Sequence, residues 1–386
     1  MSRDDPAQPR SRAGHRVRAR WWPVEFCFRY DDQAAARWAE HHWYQSPPLA
    51  GFAGPPAESV VQITTWRDPT AVRQVHQAAS AGGAHAVAAY GQPAYFVQPV
   101  LTGSLARAYA QVLLGRTDAG AASYFLGRGH SGDWHVVLGA QAPVLMPDKR
   151  LAAEIMRGQL ACRGGVELHA AAVSLAGGRA VALVGGSGSG KTTAALVLGA
   201  QGRLCSGDRV TLLSTDSGVR LAAYPDALRL GFGTAQALGA DEILCTRPLL
   251  RPQDFRTPAG GIDDECWRPG SRRKISLTRR EVDELLGIPV GSVGPLTDLV
   301  VLRRAGDAGP PRLTRMPPSA ALAAVAAQDM RLRAEYQPWL WAADSDGTPP
   351  ADRGLLSRIL GSLRFWSLDW IPSVTDARCL AEAILR

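Results

Sequence analysis

Apolar and polar positions change their period several times along the chain, and each change marks an element. Residues 22–30 alternate through Val24, Phe26 and Phe28, which predicts a strand, and residues 33–42 carry apolar positions at helical spacing. A Pro/Gly-rich stretch over 47–56 closes this small α/β unit. Strand-like runs recur over 60–66, 94–100 and 134–138, and amphipathic helices are predicted over 106–114 and 151–160. From residue 167 the pattern tightens. Residues 169–175 are extended, Ala176-Gly177-Gly178 is a turn and 179–184 is a second strand, so the two predict an antiparallel hairpin. Further on, 257–270 is punctuated by Gly and Pro and reads as a long mobile loop.

The hairpin runs directly into chemistry. Residues 185–192 read GGSGSGKT, a full match to G-x-x-x-x-G-K-[ST], between the apolar run Ala180-Val181-Ala182-Leu183-Val184 and the helical Thr193-Ala194-Ala195-Leu196-Val197-Leu198. In a strand–loop–helix context glycines let backbone N–H groups wrap a phosphate chain, and the helix N-terminus adds its positive dipole end. Gly185, Gly186, Ser187, Gly188, Ser189, Gly190, Lys191, Thr192 and Thr193 are therefore the candidate nucleotide-binding residues. Lys191 is expected to reach the outer phosphates and Thr192 to ligate Mg²⁺, with ATP as the nucleotide.

Composition narrows the partners. A chain of 386 residues with 46% hydrophobic content suits two domains, and a net charge of +8 favours anionic ligands. The basic residues are scattered rather than striped with aromatics, so nucleic acid is not expected. Only three of the 43 basic residues are lysines: Lys149, Lys191 and Lys274. Lys191 is explained by the loop, where a compact ammonium fits between phosphates better than a planar guanidinium. Lys274, inside Arg272-Arg273-Lys274 and just after the Gly/Pro-rich loop, is a candidate closing cation, set against the alternative of a solvated basic run. Lys149, beside Asp148, reads as ordinary surface. The six cysteines have no C-x-x-C spacing, and His41, His42, His76, His85, His130 and His135 have no metal-ligand spacing, so free thiols and no structural zinc are expected. Residues 1–20 are polar and Arg-rich and read as a disordered basic tail. No apolar run is long enough to span a bilayer, so the expectation is a cytoplasmic protein without a membrane partner; oligomeric state stays open.

Leu168-His169-Ala170-Ala171-Ala172-Val173, the turn, residues 185–193, and Gly202-Arg203-Leu204-Cys205-Ser206-Gly207-Asp208-Arg209-Val210 together are similar to the catalytic core of the HPr kinase/phosphorylase family. Its smaller relatives include kinases found with ribosomally made, modified peptides such as lasso peptides. The similarity runs from about 151 to 230, resumes around Lys274 and 295–302, and includes 365–385. The resemblance implies an α/β fold, a mixed-sheet P-loop kinase domain of the phosphoenolpyruvate carboxykinase / HPr kinase type over 151–386; the N-terminal third lies outside the resemblance, and the pattern over 21–150 reads as a smaller α/β domain, large enough to recognise an acceptor chain. The resemblance also implies that Asp208 is the general base and, with Thr192, a Mg²⁺ ligand. His169 would hydrogen-bond Asp208 or the transferring phosphoryl group, and Lys274 would serve the transition state. Arg229 is a weaker candidate on the acceptor side. The family has two adjacent Asp residues where this chain has Gly207-Asp208; Asp208 matches the second, with Asp216 or Glu335 as conceivable substitutes for the first. Trp339, Trp341 and Tyr336 read as a peptide-binding surface or as core. The implied function is an ATP-dependent kinase acting on a Ser-type hydroxyl of a peptide or protein, as in peptide natural-product biosynthesis. The alternatives are a small-metabolite kinase and, given Gly207, a nucleotide-binding regulator that has lost catalysis.

Overall fold

Alternation begins earlier than residue 22. A computed structural model describes residues 14–47, 56–81, 85–89, 92–96, 103–116, 122–140, 142, 147–247, 249–250, 263–267, 271, 273–305, 310–332, 353–373 and 377–378. In it His15–Trp21 is a strand (β1) that turns at Trp22-Pro23 into Val24–Tyr30 (β2). The expected tail over 1–20 is thereby corrected from residue 15 onward, while 1–13 lie outside the described residues. The physical reason is period two. Val17, Ala19 and Trp21 are buried and the arginines between them are exposed, so a strand can carry an Arg at every second position without burying charge.

The chain divides into two units. The first takes the described residues of Met1–Glu40 and Pro56–Gln159. Its elements after β2 are Gln33–His42 (α1), Ser59–Arg67 (β3), Pro69–Ser80 (α2), His85–Ala89 (β4), Gln92–Phe96 (β5), Gly103–Ala108 (α3), Tyr109–Arg116 (β6), Ala122–Gly129 (β7), Trp134–Leu138 (β8) and Pro147–Ala161 (α4). The eight strands form one sheet in the order β1-β2-β3-β8-β7-β6-β5-β4, parallel at β2–β3 and β3–β8 and antiparallel elsewhere. Asp68 caps α2, its carboxylate accepting from the N–H groups of Thr70 and Ala71, and Val72 and Val75 of that helix pack on Tyr109, Val112, Leu114, Phe125 and Val137. The helix expected over 106–114 is corrected: α3 ends at Ala108 and β6 follows. A short apolar run such as Val112-Leu113-Leu114 fits either period, and pairing with β5 and β7 on its two sides decides for strand. Of the strand expected over 94–100, β5 ends at Phe96 and 97–100 lie outside the described residues.

The second unit takes the described residues of His41–Pro55, Leu160–Leu332 and Ala351–Arg386. It contains Val166–Leu175 (β9), Ala180–Val184 (β10), Lys191–Gly199 (α5), Gly202–Ser206 (β11), Arg209–Thr215 (β12), Gly218–Ala223 (β13), Leu228–Leu230 (β14), Phe232–Ala237 (α6), Asp241–Thr246 (α7), Ile275–Leu277 (β15), Arg279–Leu286 (α8), Val293–Arg304 (β16), Arg312–Arg315 (β17), Pro318–Ala326 (α9), Arg353–Leu360 (α10) and Arg364–Trp370 (β18). β9 and β10 make the expected antiparallel hairpin, and β10 lies parallel to β16, which lies parallel to β18. Buried Ala194, Ala195, Leu196, Val197 and Leu198 make α5 apolar all round, so this helix sits inside the core rather than on it.

β9 changes partners along its length. On one edge residues 172–175 pair with β11 and residues 166–169 with β12, and on the other edge residues 170–174 pair with β10. The first residue of β12, Arg209, stands opposite His169, and the last residue of β10, Val184, stands opposite Ala170. β9 therefore lies between β10 on one edge and β11 followed by β12 on the other; at the level of His169 and Ala170 the chain leaves β10 at residue 185 on the first edge, and residues 207–208 link β11 to β12 on the second.

Candidate functional site

The glycine loop follows β10 on one edge of β9. Gly188 and Gly190 adopt left-handed backbone (φ 77° and 88°), which L side chains rarely do, and Gly190 leads directly into α5. A Cβ on Gly190 would lie 2.5 Å from Trp370 Cζ2 and 2.7 Å from Pro372 Cβ, so the loop rests on the end of β18. The Trp370 indole N–H donates to the Ser189 carbonyl at 3.1 Å and ties the two together. Lys191 is buried, and its Nζ donates to the carbonyls of Gly185 (2.8 Å) and Gly186 (3.1 Å), which holds the ammonium against the loop backbone. Gly186, Ser187 and Gly188 are exposed, with open space where Cβ atoms on the two glycines would stand. The buried Ser189 hydroxyl has no hydrogen-bond partner among the described residues. An open backbone, a cation and a spare buried donor fit a phosphate chain. Thr192 is half-buried, whereas Thr193 Oγ1 is 3.0 Å from Thr234 Oγ1 and is used in packing against α6.

β9 itself and the β11–β12 link on its other edge carry the titratable groups. His169 Nε2 is 3.2 Å from Asp208 Oδ1. Asp208 follows β11 in a tight bend in which the Ser206 hydroxyl accepts from the backbone N–H groups of Asp208 (3.2 Å) and Arg209 (3.1 Å), a side-chain turn that aims the carboxylate outward. Its side chain is 58% exposed. Partial desolvation and the neighbouring charge of Asp226 push its pKa up, but the hydrogen bond and charge of His169, together with Arg209, outweigh them and hold it below the usual carboxylate value. Asp208 is ionised at neutral pH. Arg209 is itself locked by Asp226, with Nε 3.0 Å from Oδ2 and Nη2 3.1 Å from Oδ1, and lies 3.9 Å from Glu167. Asp226 was not foreseen as a site residue. The one available signal was its place after Tyr224-Pro225, where a Pro-fixed turn stops the chain beside the strand it has just left.

Other expected residues are placed elsewhere. Asp216 occupies the turn at the far end of β12, about 26 Å of extended chain from Asp208. Lys274 is exposed; it precedes β15, whose Ile275 pairs with Leu230, so the lysine is aligned with the start of α6. Its neighbour Arg273 is engaged with Asp263 and Glu265. Arg229 is exposed on β14. Arg272, Glu335, Tyr336, Trp339 and Trp341 lie outside the described residues, as does the loop expected over 257–270 apart from 263–267, which include one short 3₁₀ turn. Among the described residues no group of three or more His, Cys, Asp and Glu side chains could hold a metal ion by itself, and no helix is long and apolar enough to cross a membrane. Cys27, Cys162 and Cys205 are free thiols, the last buried.

The chain is thus an α/β protein with mixed sheets, whose second unit brings a strand–glycine loop–helix segment and an ionised Asp with its His to the two edges of one strand, β9. No protein-family model matches the chain, and no curated protein matches it in sequence.

Proposed function

We propose that the chain is an ATP-dependent kinase with a catalytic unit of the phosphoenolpyruvate carboxykinase / HPr kinase type, transferring the γ-phosphoryl group to a hydroxyl of a peptide or protein. The observation that carries this reading is that the glycine loop and Asp208 leave the two edges of β9 at the same level, with His169 of β9 bonded to the Asp208 carboxylate and both the loop and the carboxylate open to solvent. Phosphoryl transfer asks little covalent chemistry of a protein; it asks for held phosphates, neutralised charge and an oriented nucleophile. The loop N–H groups, Lys191 and the Ser189 hydroxyl would hold the β- and γ-phosphates. Thr192 and Asp208 would hold Mg²⁺, which neutralises charge between the phosphates when bound. Asp208 takes the acceptor hydroxyl's proton as the new O–P bond forms and the bond from the γ-phosphorus to the ADP oxygen breaks. His169 holds the carboxylate in place through Nε2.

Incubation of the purified chain with labelled ATP and candidate hydroxyl-bearing peptides, read by mass shift, tests the reading. Transfer that disappears in Lys191→Ala supports it, and full transfer in that variant would remove the loop from the mechanism. Gly207 favours one other reading, a nucleotide-binding regulator. ATP binding without transfer, restored to transfer by Gly207→Asp, would select it; a Cβ there approaches only the flexible end of Leu228, at 2.9 Å, so the substitution can be accommodated.

A further inference from the structure

The first strands of the N-terminal unit present a row of cations that their own acids do not balance. β1 stands at one end of its sheet and, among the described residues, pairs on one side only, leaving a second row of backbone N–H and C=O groups turned away from β2. Arg16, Arg18 and Arg20 occupy alternate positions on the face opposite the buried Val17, Ala19 and Trp21, and the Arg18 and Arg20 side chains are 80% and 63% exposed. Register sets Arg16 directly across from Arg29 of β2, two exposed like charges in a placement that destabilises a sheet. Glu25 is the one acid in β1, β2 and β3, and it serves Arg18 at 3.9 Å and Arg20 at 3.2 Å. Val60, paired with Glu25 across the β2–β3 ladder, is an exposed large apolar side chain on the same face.

We infer that the β1 edge binds an extended acidic peptide by strand addition, its carboxylates at alternate positions over Arg16, Arg18 and Arg20. The inference rests on the kinase reading in one respect, that the bound peptide is the phosphoryl acceptor or carries it. The match is one of period. Alternate side chains on β1 are about 7 Å apart, alternate side chains of an added strand repeat that distance, and directly opposed pairs come within about 5 Å. Backbone groups at a sheet edge are satisfied by another backbone, which a peptide has and a nucleic acid lacks. The aromatic rings of β1 and β2 are buried, so this face offers no platform on which bases would stack.

The test uses the full chain and a fluorescein-labelled octapeptide of alternating Glu and Val, with an isomer in which the Glu and Val residues form two blocks. The alternating peptide binds more tightly than the block isomer, because only alternation sets every carboxylate on one face. Arg16→Glu with Arg18→Glu weakens it by about tenfold or more, Arg16→Gln with Arg18→Gln weakens it in the same direction, and Lys191→Ala leaves it unchanged. Equal binding of the two isomers, equal competition by an oligothymidylate, or undiminished binding in the Gln variant would overturn the inference. Phosphate transfer is measured with a version of the alternating peptide extended by a Ser at each end: binding without transfer to it or to any other hydroxyl-bearing peptide removes the kinase reading alone, and transfer to peptides irrespective of the β1 variants removes the edge alone.

Discussion

Asp208 sits between influences of opposite sign, and its setting makes it an ionised, modest base. A weak base suits a loose phosphoryl-transfer transition state, in which the acceptor's proton need not leave early. Asp208→Asn keeps the hydrogen bond available to His169 but cannot accept a proton, so turnover should fall by about a hundred- to ten-thousand-fold while nucleotide affinity persists; rapid-quench transfer and equilibrium titration read the two separately. Asp148 makes the opposite case in the first unit. It is fully buried and accepts from the Tyr30 hydroxyl at 2.6 Å; burial pushes its carboxyl up to about 6 against the downward pull of that bond and of the Lys149 backbone N–H. Since the folded state then binds the proton more tightly than the unfolded chain, stability present in acid is lost as pH rises from about 4 through about 6. Asp148→Asn abolishes the titration, and its advantage over the wild type should grow by roughly 2 kcal/mol between about pH 4 and pH 7 in urea denaturation. A difference that does not change with pH would contradict this. Of these residues His169 and Asp208 were legible in the sequence because a resemblance named them, whereas Asp226 was not. Its bond to Arg209 exists only after the β12–β13 hairpin has returned the chain to the start of β12.

The hairpin and the glycine loop were legible because their signals are local: period two on both sides of a Gly-Gly turn, then a fixed spacing of glycines before Lys-Thr. Elements decided by distant pairing were not. β1 was hidden by its arginines, which read as a solvated tail until β2 gives their strand a partner, and β6 was hidden by an apolar run too short to declare a period. The segment 44–46 is another case. Its assignment to the second unit follows from Arg279, whose Nε donates to the Tyr44 carbonyl at 3.1 Å, from Arg203 at the Ser46 carbonyl (2.6 Å), and from Asp283, which accepts from the Tyr44 and Ser46 hydroxyls at 2.8 and 2.6 Å. All three partners lie far along the chain. For the loop as an element, Gly190→Ala should be costly on two counts, left-handed backbone and collision with Trp370 and Pro372, and should lower stability by about 1–3 kcal/mol and weaken nucleotide binding. Thermal melting and ATP titration of the variant check both; an unchanged melting temperature would mean that Trp370 and Pro372 move aside freely.

At the scale of the molecule, every described candidate residue for nucleotide and transfer belongs to the second unit, and the Asp148–Tyr30 pair and the basic edge belong to the first. ATP should therefore raise the unfolding transition of one unit selectively, by about 2.7 kcal/mol at a hundredfold excess over its Kd, and Asp148→Asn should move the other. Calorimetry with and without ATP on both proteins distinguishes them; a shift of both transitions by ATP alone would deny the units their thermodynamic independence. The ladder between β9 and β10 has a further consequence, for which insertions the gene can tolerate. The relation of His169 to Gly185 is set by a ladder of hydrogen-bonded pairs that ends at Ala170 and Val184, so residues added within 176–178 lengthen a turn and leave that ladder in place. A single residue added between 170 and 173 instead slips the strand by one, turning His169 to the opposite face and away from Asp208. Across a library of one-residue insertions, the turn should accept almost any addition while the few positions before it accept none.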